Sequence, residues 1–226
     1  ISLGLVGSEM CIRDRDMIWE KLPEYWYDSA FLGNGKLGLM IYKEPGKNYL
    51  RLETGNCDVH DHRTKRDVFG IPRLLTGHFT LHPKGKIING TIHLDLWNAE
   101  ASTDITTTKG VIHLRSFVHA DEMMIIVKAT TEGDEHDFQW EWIAAEANSP
   151  RYLIFKRQGK ANKIPKDYEL NPTAKISNGK EINLSVQKLL AGGETSVGWQ
   201  ETYNPETERN LCCLLYTSDA ADEEDS

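Results

Sequence analysis

Apolar and polar residues alternate along most of the middle of this chain, with the period of two that a half-buried β-strand produces. The alternation is clearest in residues 91–97 (Thr-Ile-His-Leu-Asp-Leu-Trp) and 111–118 (Val-Ile-His-Leu-Arg-Ser-Phe-Val). The same character recurs in residues 75–82 and 138–143 and, more weakly, in 181–186 and 195–199. Residues 123–129 are continuously apolar and contain β-branched side chains, which predicts a strand buried on both faces.

Residues that tolerate positive φ separate these runs, as hairpin turns require. The predicted turns are Pro83-Lys84-Gly85, Asn89-Gly90, Lys109-Gly110, Glu132-Gly133-Asp134 and Asn178-Gly179. Residues 160–172 are polar and contain two prolines, so they are expected to form a long loop. No stretch predicts a helix longer than two turns. The fold class expected is therefore all-β, a large antiparallel β-sandwich of the supersandwich type with few or no helices.

The two ends of the chain are related to each other at the level of DNA. Residues 213–218 (Cys-Leu-Leu-Tyr-Thr-Ser) can be encoded by TGT CTC TTA TAC ACA TCT. The reverse complement of that DNA, read in another frame, encodes Met-Cys-Ile-Arg-Asp, which is the sequence of residues 10–14. An inverted library adapter explains both ends, and such scars are set aside before the fold is considered. We therefore expect residues 1–15 and 213–226 to be disordered adapter-derived segments, and residues 16–212 to be a fragment of one sandwich domain.

Removing the ends changes the charge and the cysteine count. The net charge of −8 includes five acidic residues in the last fourteen positions, while the charges of the first fifteen cancel, so the middle carries −3. Such a middle lacks the basic stripe that nucleic-acid binding needs, and it has no apolar run long enough for a membrane helix. Cys57 is the one cysteine well inside the middle, which gives no basis for a disulfide framework.

The most distinctive motif lies in residues 30–42 (Ala-Phe-Leu-Gly-Asn-Gly-Lys-Leu-Gly-Leu-Met-Ile-Tyr). Gly33, Asn34 and Gly35 can form a tight turn because each tolerates unusual φ. Residues 37–42 then predict a strand, in which Gly38 allows close backbone approach. A phosphate-binding loop is disfavoured, since no Gly-Lys-Ser/Thr follows and the next element is a strand. From spacing alone, a hairpin turn is the favoured interpretation.

This motif resembles one in the N-terminal domain of glycoside hydrolase family 95, which has a Leu-Gly-Asn-Gly-Arg/Lys-Leu-Gly-Ala-Met pattern after a tryptophan-containing opening. Here Trp19 and Trp26 precede residues 32–40. Residues 94–101 (Leu-Asp-Leu-Trp-Asn-Ala-Glu-Ala) resemble a second family strand, and residues 111–128 resemble the strands that follow it. The resemblance spans residue 19 to about residue 145. Two departures are Phe31, where the family usually has proline, and residues 52–58, which replace an Asn-Glu-Asp-Thr-Leu-Trp run.

The resemblance implies a sandwich that precedes an α/α-barrel in a bacterial sugar hydrolase. In such enzymes the barrel carries the catalytic carboxylates and cleaves α-L-fucosides or related α-L-galactosides with inversion, which needs a general acid and an activated water. No catalytic residue is therefore assigned in this chain, which is expected to be inactive alone. The expected partners are that barrel domain and the carbohydrate substrate of the parent enzyme. No cofactor is expected, and a periplasmic or extracellular location is implied by resemblance. A phosphorylase-type relative is an alternative parent.

One polar cluster, formed by His60, Asp61, His62 and Arg63, is a candidate for the rim of the neighbouring active site. A His-x-His pair on a strand places both imidazoles on one face, as in some metal sites. No third histidine stands at diagnostic spacing, so no metal site is assigned and a polar loop is favoured. A metal-dependent enzyme remains a distant alternative.

The positions of the tryptophans distinguish two hypotheses, a sandwich core and a sugar-binding surface. Trp140 and Trp142 fall on the same face of their strand, with Phe138 beside them, which predicts a core stripe. Trp97, Trp140, Trp142 and Trp199 could instead stack on sugar rings, and an exposed set of all four would favour a free-standing carbohydrate-binding module.

Overall fold

Fourteen strands dominate the computed structural model, which describes residues 16–61, 73–190, 192–204 and 208–218. In chain order the strands are β1 (Met17–Trp19), β2 (Ala30–Gly33), β3 (Leu37–Tyr42), β4 (Leu50–Asn56), β5 (Gly77–His82), β6 (Ile87–Asp95), β7 (Glu100–Thr107), β8 (Gly110–Val118), β9 (Met124–Gly133), β10 (Gln139–Ala144), β11 (Lys175–Asn178), β12 (Asn183–Lys188), β13 (Glu194–Asn204) and β14 (Glu208–Ser218). The described residues also contain one α-helix, α1 (Pro150–Arg157), and two short 3₁₀ turns, Trp26–Asp28 and Ala161–Lys163. The predicted all-β class is confirmed.

The strands form two antiparallel sheets within the described residues. The larger sheet has nine strands in the order β1-β6-β7-β8-β9-β14-β13-β12-β11, and the smaller has five in the order β10-β5-β4-β3-β2. The first described strand, β1, lies at one edge of the larger sheet; β2 to β5 then build most of the smaller sheet, and β6 to β9 return to the larger one. The chain then adds β10 to the smaller sheet and completes the larger one, so both sheets depend on residues from both halves of the chain.

The core lies between the two sheets and contains the inward residues of the alternating strands. Leu39, Leu52 and Phe79 of the smaller sheet are buried with Ile105 and Leu114 of the larger. The alternation observed in the sequence therefore produces the sandwich directly, because one side of each strand faces the opposite sheet.

Three aromatic rings join the two sheets within the core. Phe79 and Trp142 of the smaller sheet have centroids 4.7 Å apart, and Trp199 of the larger sheet lies 5.9 Å from Phe79 and 6.0 Å from Trp142. Trp140 is buried as well, which confirms the predicted core stripe. Trp97 is different, since 41% of its surface is exposed.

Two expectations about single strands are wrong. Strand β9 is not buried on both faces: Ile125, Val127 and Ala129 point into the core, whereas Lys128 is exposed. The apolar residues on its outer side are half-buried against neighbouring strands, as in the register of Ile126 with Phe117 on β8.

The second wrong expectation is the turn at Asn89-Gly90, which lies inside β6 beside a register shift. A Cβ at Gly90 would lie 2.8 Å from Cγ of Leu22 and 2.6 Å from the Asp104 carbonyl oxygen, so this glycine permits close packing on a strand rather than a turn.

The expectation that residues 213–226 are disordered is wrong for residues 213–218, which form the end of β14. This strand pairs with β13 on one side and with β9 on the other. Leu211, Cys213 and Leu215 alternate into the core and are each at most 1% exposed. Alternate side chains of β14 therefore face the opposite sheet, as the period of two in a strand requires. Residues 1–15 and 219–226 lie outside the described residues.

Helix α1 follows Ser149 and has proline at its first position, where the missing N–H costs nothing. It is eight residues long, in keeping with the expected absence of longer helices. The polar segment after it is irregular except for the 3₁₀ turn, so the predicted loop is confirmed. Among the described residues, no helix has the length and apolar character needed to cross a membrane.

Candidate functional site

The turn between β2 and β3 is organised by the side chain of Asn34. Its Oδ1 accepts hydrogen bonds from the backbone N–H groups of Lys36 (3.0 Å) and Leu37 (2.8 Å). The Asn34 backbone N–H donates to the Leu37 carbonyl at 3.1 Å. The asparagine thus closes the turn through its own side chain, as Asx turns do.

The amide of Asn34 also reaches the other sheet. Its Nδ2 donates to the carbonyl oxygens of His119 (2.9 Å) and Glu122 (3.2 Å), which lie in the loop between β8 and β9. That loop is itself folded around the His119 ring, whose Nδ1 accepts from the backbone N–H groups of Asp121 (3.3 Å) and Glu122 (3.1 Å). One side chain therefore connects two turns from opposite sheets.

The three glycines of the motif differ in what they need. Gly35 has φ +92°, a conformation that favours glycine, and no atom lies within 4 Å of a Cβ placed there. A Cβ at Gly33 would lie 3.0 Å from the Leu37 carbonyl oxygen. Gly38 allows a Cβ at ordinary distances of 3.7 Å or more, so the predicted close approach there is not a requirement. Of the three predicted turn residues, Gly35 is the one with positive φ.

A groove opens beside this turn, at the end of β4. It has a volume of about 380 Å³ and is lined by Lys36, Asn56, Cys57 and Arg73. Asn56 is 5% exposed; its Oδ1 accepts from the Asp58 N–H at 2.8 Å, and its Nδ2 makes no hydrogen bond with the described residues. We call the loop rim the set of residues 33–37, 56–61, 73–75 and 119–122.

Cys57 in the groove is not poised as a nucleophile. Its thiol donates to Oδ1 of Asp58 at 3.2 Å. That hydrogen bond, with some burial, raises the pKa of the Cys57 thiol. Because the thiolate is the reactive form, the neighbouring carboxylate lowers reactivity at neutral pH.

The four predicted rim residues are only partly within the described chain. His60 is half-buried and pairs with Arg73 through an isolated backbone bridge. Asp61 is 1% exposed, so its side chain lies beneath the surface of the loop rim. His62 and Arg63 lie outside the described residues. In the described part of the chain, no group of three His, Cys, Asp or Glu side chains is arranged to hold a metal ion.

A second cluster, which the sequence patterns did not indicate, covers the outer side of the smaller sheet. The guanidinium of Arg51 contacts Glu44 and lies 3.3 Å from Oε2 of Glu53, and the Tyr42 hydroxyl donates to the same Oε2 at 2.6 Å. Burial, followed by the hydrogen bond with Glu53, raises the pKa of Tyr42. Burial, and then the charge of Arg51, lowers the pKa of His78 to about 4.

This outer cluster is a structural network of ion pairs and hydrogen bonds, in which Nε of Arg51 is buried and makes no hydrogen bond with the described residues. Each carboxylate has a cationic or hydroxyl partner, and His78 is neutral near pH 7. In the sequence, the outward residues of a strand cannot be distinguished from ordinary surface residues. Only the fold shows that Glu44, in the segment between β3 and β4, contacts Arg51 on the outer side of β4.

Comparison with known proteins identifies the architecture. No family model matches the chain, and no curated protein sequence matches it. Among solved structures, a protein from the human microbiome assigned as a kojibiose phosphorylase is similar, with a TM-score of 0.50 and 10% sequence identity. The match covers 85% of this chain and 27% of that protein. At this identity the likeness establishes the fold alone, and this chain spans about a quarter of the length of that protein.

Proposed function

We propose that this chain is a non-catalytic β-sandwich domain of a sugar-cleaving enzyme, whose loop rim packs against a separate catalytic domain and shapes its sugar pocket. The observation that carries the proposal is the Asn34 connection, which fixes turns from both sheets at one end of the sandwich. A preorganised end of this kind is suited to bind a neighbouring domain without ordering costs.

Two further observations support sugar chemistry in the parent enzyme. The solved neighbour is named as a phosphorylase of a disaccharide, and the chain matches only a part of it. The motif of residues 32–40 resembles the opening domain of family 95 hydrolases.

The finer proposal is a family 95-type parent that hydrolyses α-L-fucosides or related α-L-galactosides. The second candidate is a phosphorylase parent, which the name of the solved neighbour favours. Phosphate separates the two: a phosphorylase releases a sugar phosphate only when inorganic phosphate is present, whereas a hydrolase needs water alone.

Complementation tests the domain proposal. The catalytic region of the parent gene is produced as one polypeptide and this chain as another, and turnover of an aryl α-L-fucoside or of kojibiose with phosphate is measured. Neither the chain alone nor the catalytic region alone is expected to match the mixture. Lys36→Glu, in the loop rim, is expected to weaken complementation, whereas Lys128→Glu, an equally exposed lysine on β9, is the matched control.

Turnover by the chain alone would contradict the non-catalytic assignment. Equal behaviour of the two lysine variants would show that the loop rim is not the contact.

A further inference from the structure

An exposed group of aromatic rings lies at the edge of the sandwich, apart from the loop rim. Tyr25, Trp26 and Tyr27 are 46%, 63% and 62% exposed, and Phe31 on β2 is 56% exposed. We call these four residues the aromatic face. Rings of this size are usually buried, and several together in solvent indicate a binding surface.

The backbone under the aromatic face is held in place. The Trp26–Asp28 turn is closed by the Ser29 hydroxyl, which donates to the Trp26 carbonyl at 2.7 Å. The indole Nε1 of Trp19 donates to the Asp28 carbonyl at 2.8 Å. These bonds tie the turn to β1, so the rings extend from a fixed support.

The rings also order each other. Tyr25 and Tyr27 are stacked with centroids 5.2 Å apart and an interplanar angle of 4°. Trp26 meets Tyr27 edge to face at 5.7 Å and 80°. Each contact is of the kind that aromatic pairs prefer, so little freedom remains to be lost when a ligand binds.

An open groove of about 710 Å³ accompanies these rings. Its walls include Ile18, Trp26, Tyr27, Phe31 and the exposed residue Asp28. The volume lies in the range of about 300–1,000 Å³ that small-molecule sites occupy. Flat aromatic surface with a carboxylate at its margin is complementary to a pyranose ring, which presents C–H groups on one face and hydroxyl donors at its edge.

We propose that the aromatic face is a sugar-binding platform, on which the Trp26 ring stacks against a pyranose, the Tyr27 ring at 80° to it forms the side wall, and the Asp28 carboxylate accepts a hydroxyl hydrogen bond. The choice of a sugar rests on the proposed function, but the site itself is distinct from the loop rim. Single-stranded nucleic acid also stacks on aromatic rings, yet it requires a cationic groove, and here the charged residue in the wall is acidic.

Saturation-transfer NMR on the purified chain tests this platform, with kojibiose and methyl α-L-fucoside as separate probes. Transfer to at least one sugar is expected with the unaltered chain. Trp26→Ala and Tyr27→Ala are each expected to weaken binding at least tenfold. Trp97→Ala, which removes another exposed tryptophan, is the matched control and is expected to change binding less than twofold.

Urea unfolding confirms that the variants are folded, and sedimentation velocity is run in parallel. Absence of transfer to both sugars, or equal loss in Trp97→Ala, overturns the platform. A dimer that Trp26→Ala converts to monomer also overturns it, because the aromatic face then binds a second copy of the chain. If the platform fails while the loop rim still supports complementation, the proposed function stands and the sugar-binding platform is refuted. If complementation fails while sugar binding is intact, the platform stands and the proposed function is refuted.

Discussion

Replacing Asn34 by alanine removes a side chain that connects the β2–β3 turn to the β8–β9 loop. Four hydrogen bonds are lost, two accepted from Lys36 and Leu37 and two donated to His119 and Glu122. Each is worth about 0.5–1.5 kcal/mol net. Because the site is only partly buried and water can replace some partners, we expect a loss of about 2–3 kcal/mol in the free energy of unfolding.

Aspartate at position 34 separates the two halves of this effect. Asn34→Asp retains the oxygen that accepts from Lys36 and Leu37, but it places a second carboxylate oxygen against two carbonyl groups. Since donors are lost and repulsion is added, this nearly isosteric change is expected to destabilise the protein at least as much as alanine does. The matched control is Lys36→Ala in the same turn, which is expected to cost less than about 0.5 kcal/mol.

Urea unfolding measures these differences, with tryptophan fluorescence as the signal, to which the core residues Trp140, Trp142 and Trp199 contribute. In thermal melts, a domain of this size shifts by about 2–4 °C per kcal/mol, so Asn34→Ala is expected to melt roughly 5–10 °C lower. If Asn34→Asp unfolds within 0.5 kcal/mol of the unaltered chain, the connection between the sheets contributes nothing and the reasoning fails.

Three other predictions concern stability. The folded imidazole of His78 has its pKa lowered from 6.5 to about 4, so the unfolded chain binds the proton more tightly and stability falls as pH drops through that window. Because His78 is half-buried and solvent screens its charge, we expect a loss of about 1–2 kcal/mol in the free energy of unfolding, which His78→Gln abolishes. Identical pH profiles of stability for the unaltered chain and His78→Gln would refute this. Glu135 is fully buried and accepts from the N–H groups of Lys84 (2.9 Å) and Gly85 (2.7 Å), so Glu135→Ala is expected to cost about 3 kcal/mol in urea unfolding, and a cost under 1 kcal/mol would contradict this. A Cβ at Gly110 would lie 1.9 Å from the Glu132 carbonyl oxygen, so thermal melts should show Gly110→Ala far more destabilised than a Gly35→Ala variant, whose cost is conformational strain of about 1–2 kcal/mol; the opposite order would disprove the account.

Period-two alternation was sufficient to predict the strands whose inward residues are large and apolar. Strand β8 was predicted at residues 111–118 and runs Gly110–Val118, and β10 was placed at 138–143 and runs Gln139–Ala144. Strand β7 is not predicted by the alternation, because three of its four inward residues are small or polar: Ala101, Thr103 and Thr107, beside Ile105. The pattern carries the signal only where burial is apolar.

Strand β4 is not predicted by the alternation for a related reason. Its first inward residues, Leu50 and Leu52, are apolar, but Thr54 and Asn56 continue the buried side. Thr54 is satisfied by hydrogen bonds with Thr76 (2.8 Å) and the Gly77 carbonyl (3.0 Å). Such partners come from a distant part of the chain, so local sequence cannot reveal that a polar run is buried.

The candidate site followed the same division. A turn at Gly33-Asn34-Gly35 was predictable from residue type, since glycine and asparagine are turn formers. The contacts of Asn34 with residues 119 and 122 were not, because they depend on how the sheets pack. The aromatic face was visible as a run of Tyr25, Trp26 and Tyr27, but exposure is a property of the fold and decides its meaning.

Sequencing the source locus outward from primers within residues 19–210 tests whether the sandwich belongs to a longer sugar-cleaving enzyme. We expect the adapter-like codons at both ends to disappear and a helical, carboxylate-bearing region to follow the sandwich in the same reading frame. A gene that keeps both ends and stops after residue 226 would contradict this expectation, and the sandwich would then act without a catalytic domain.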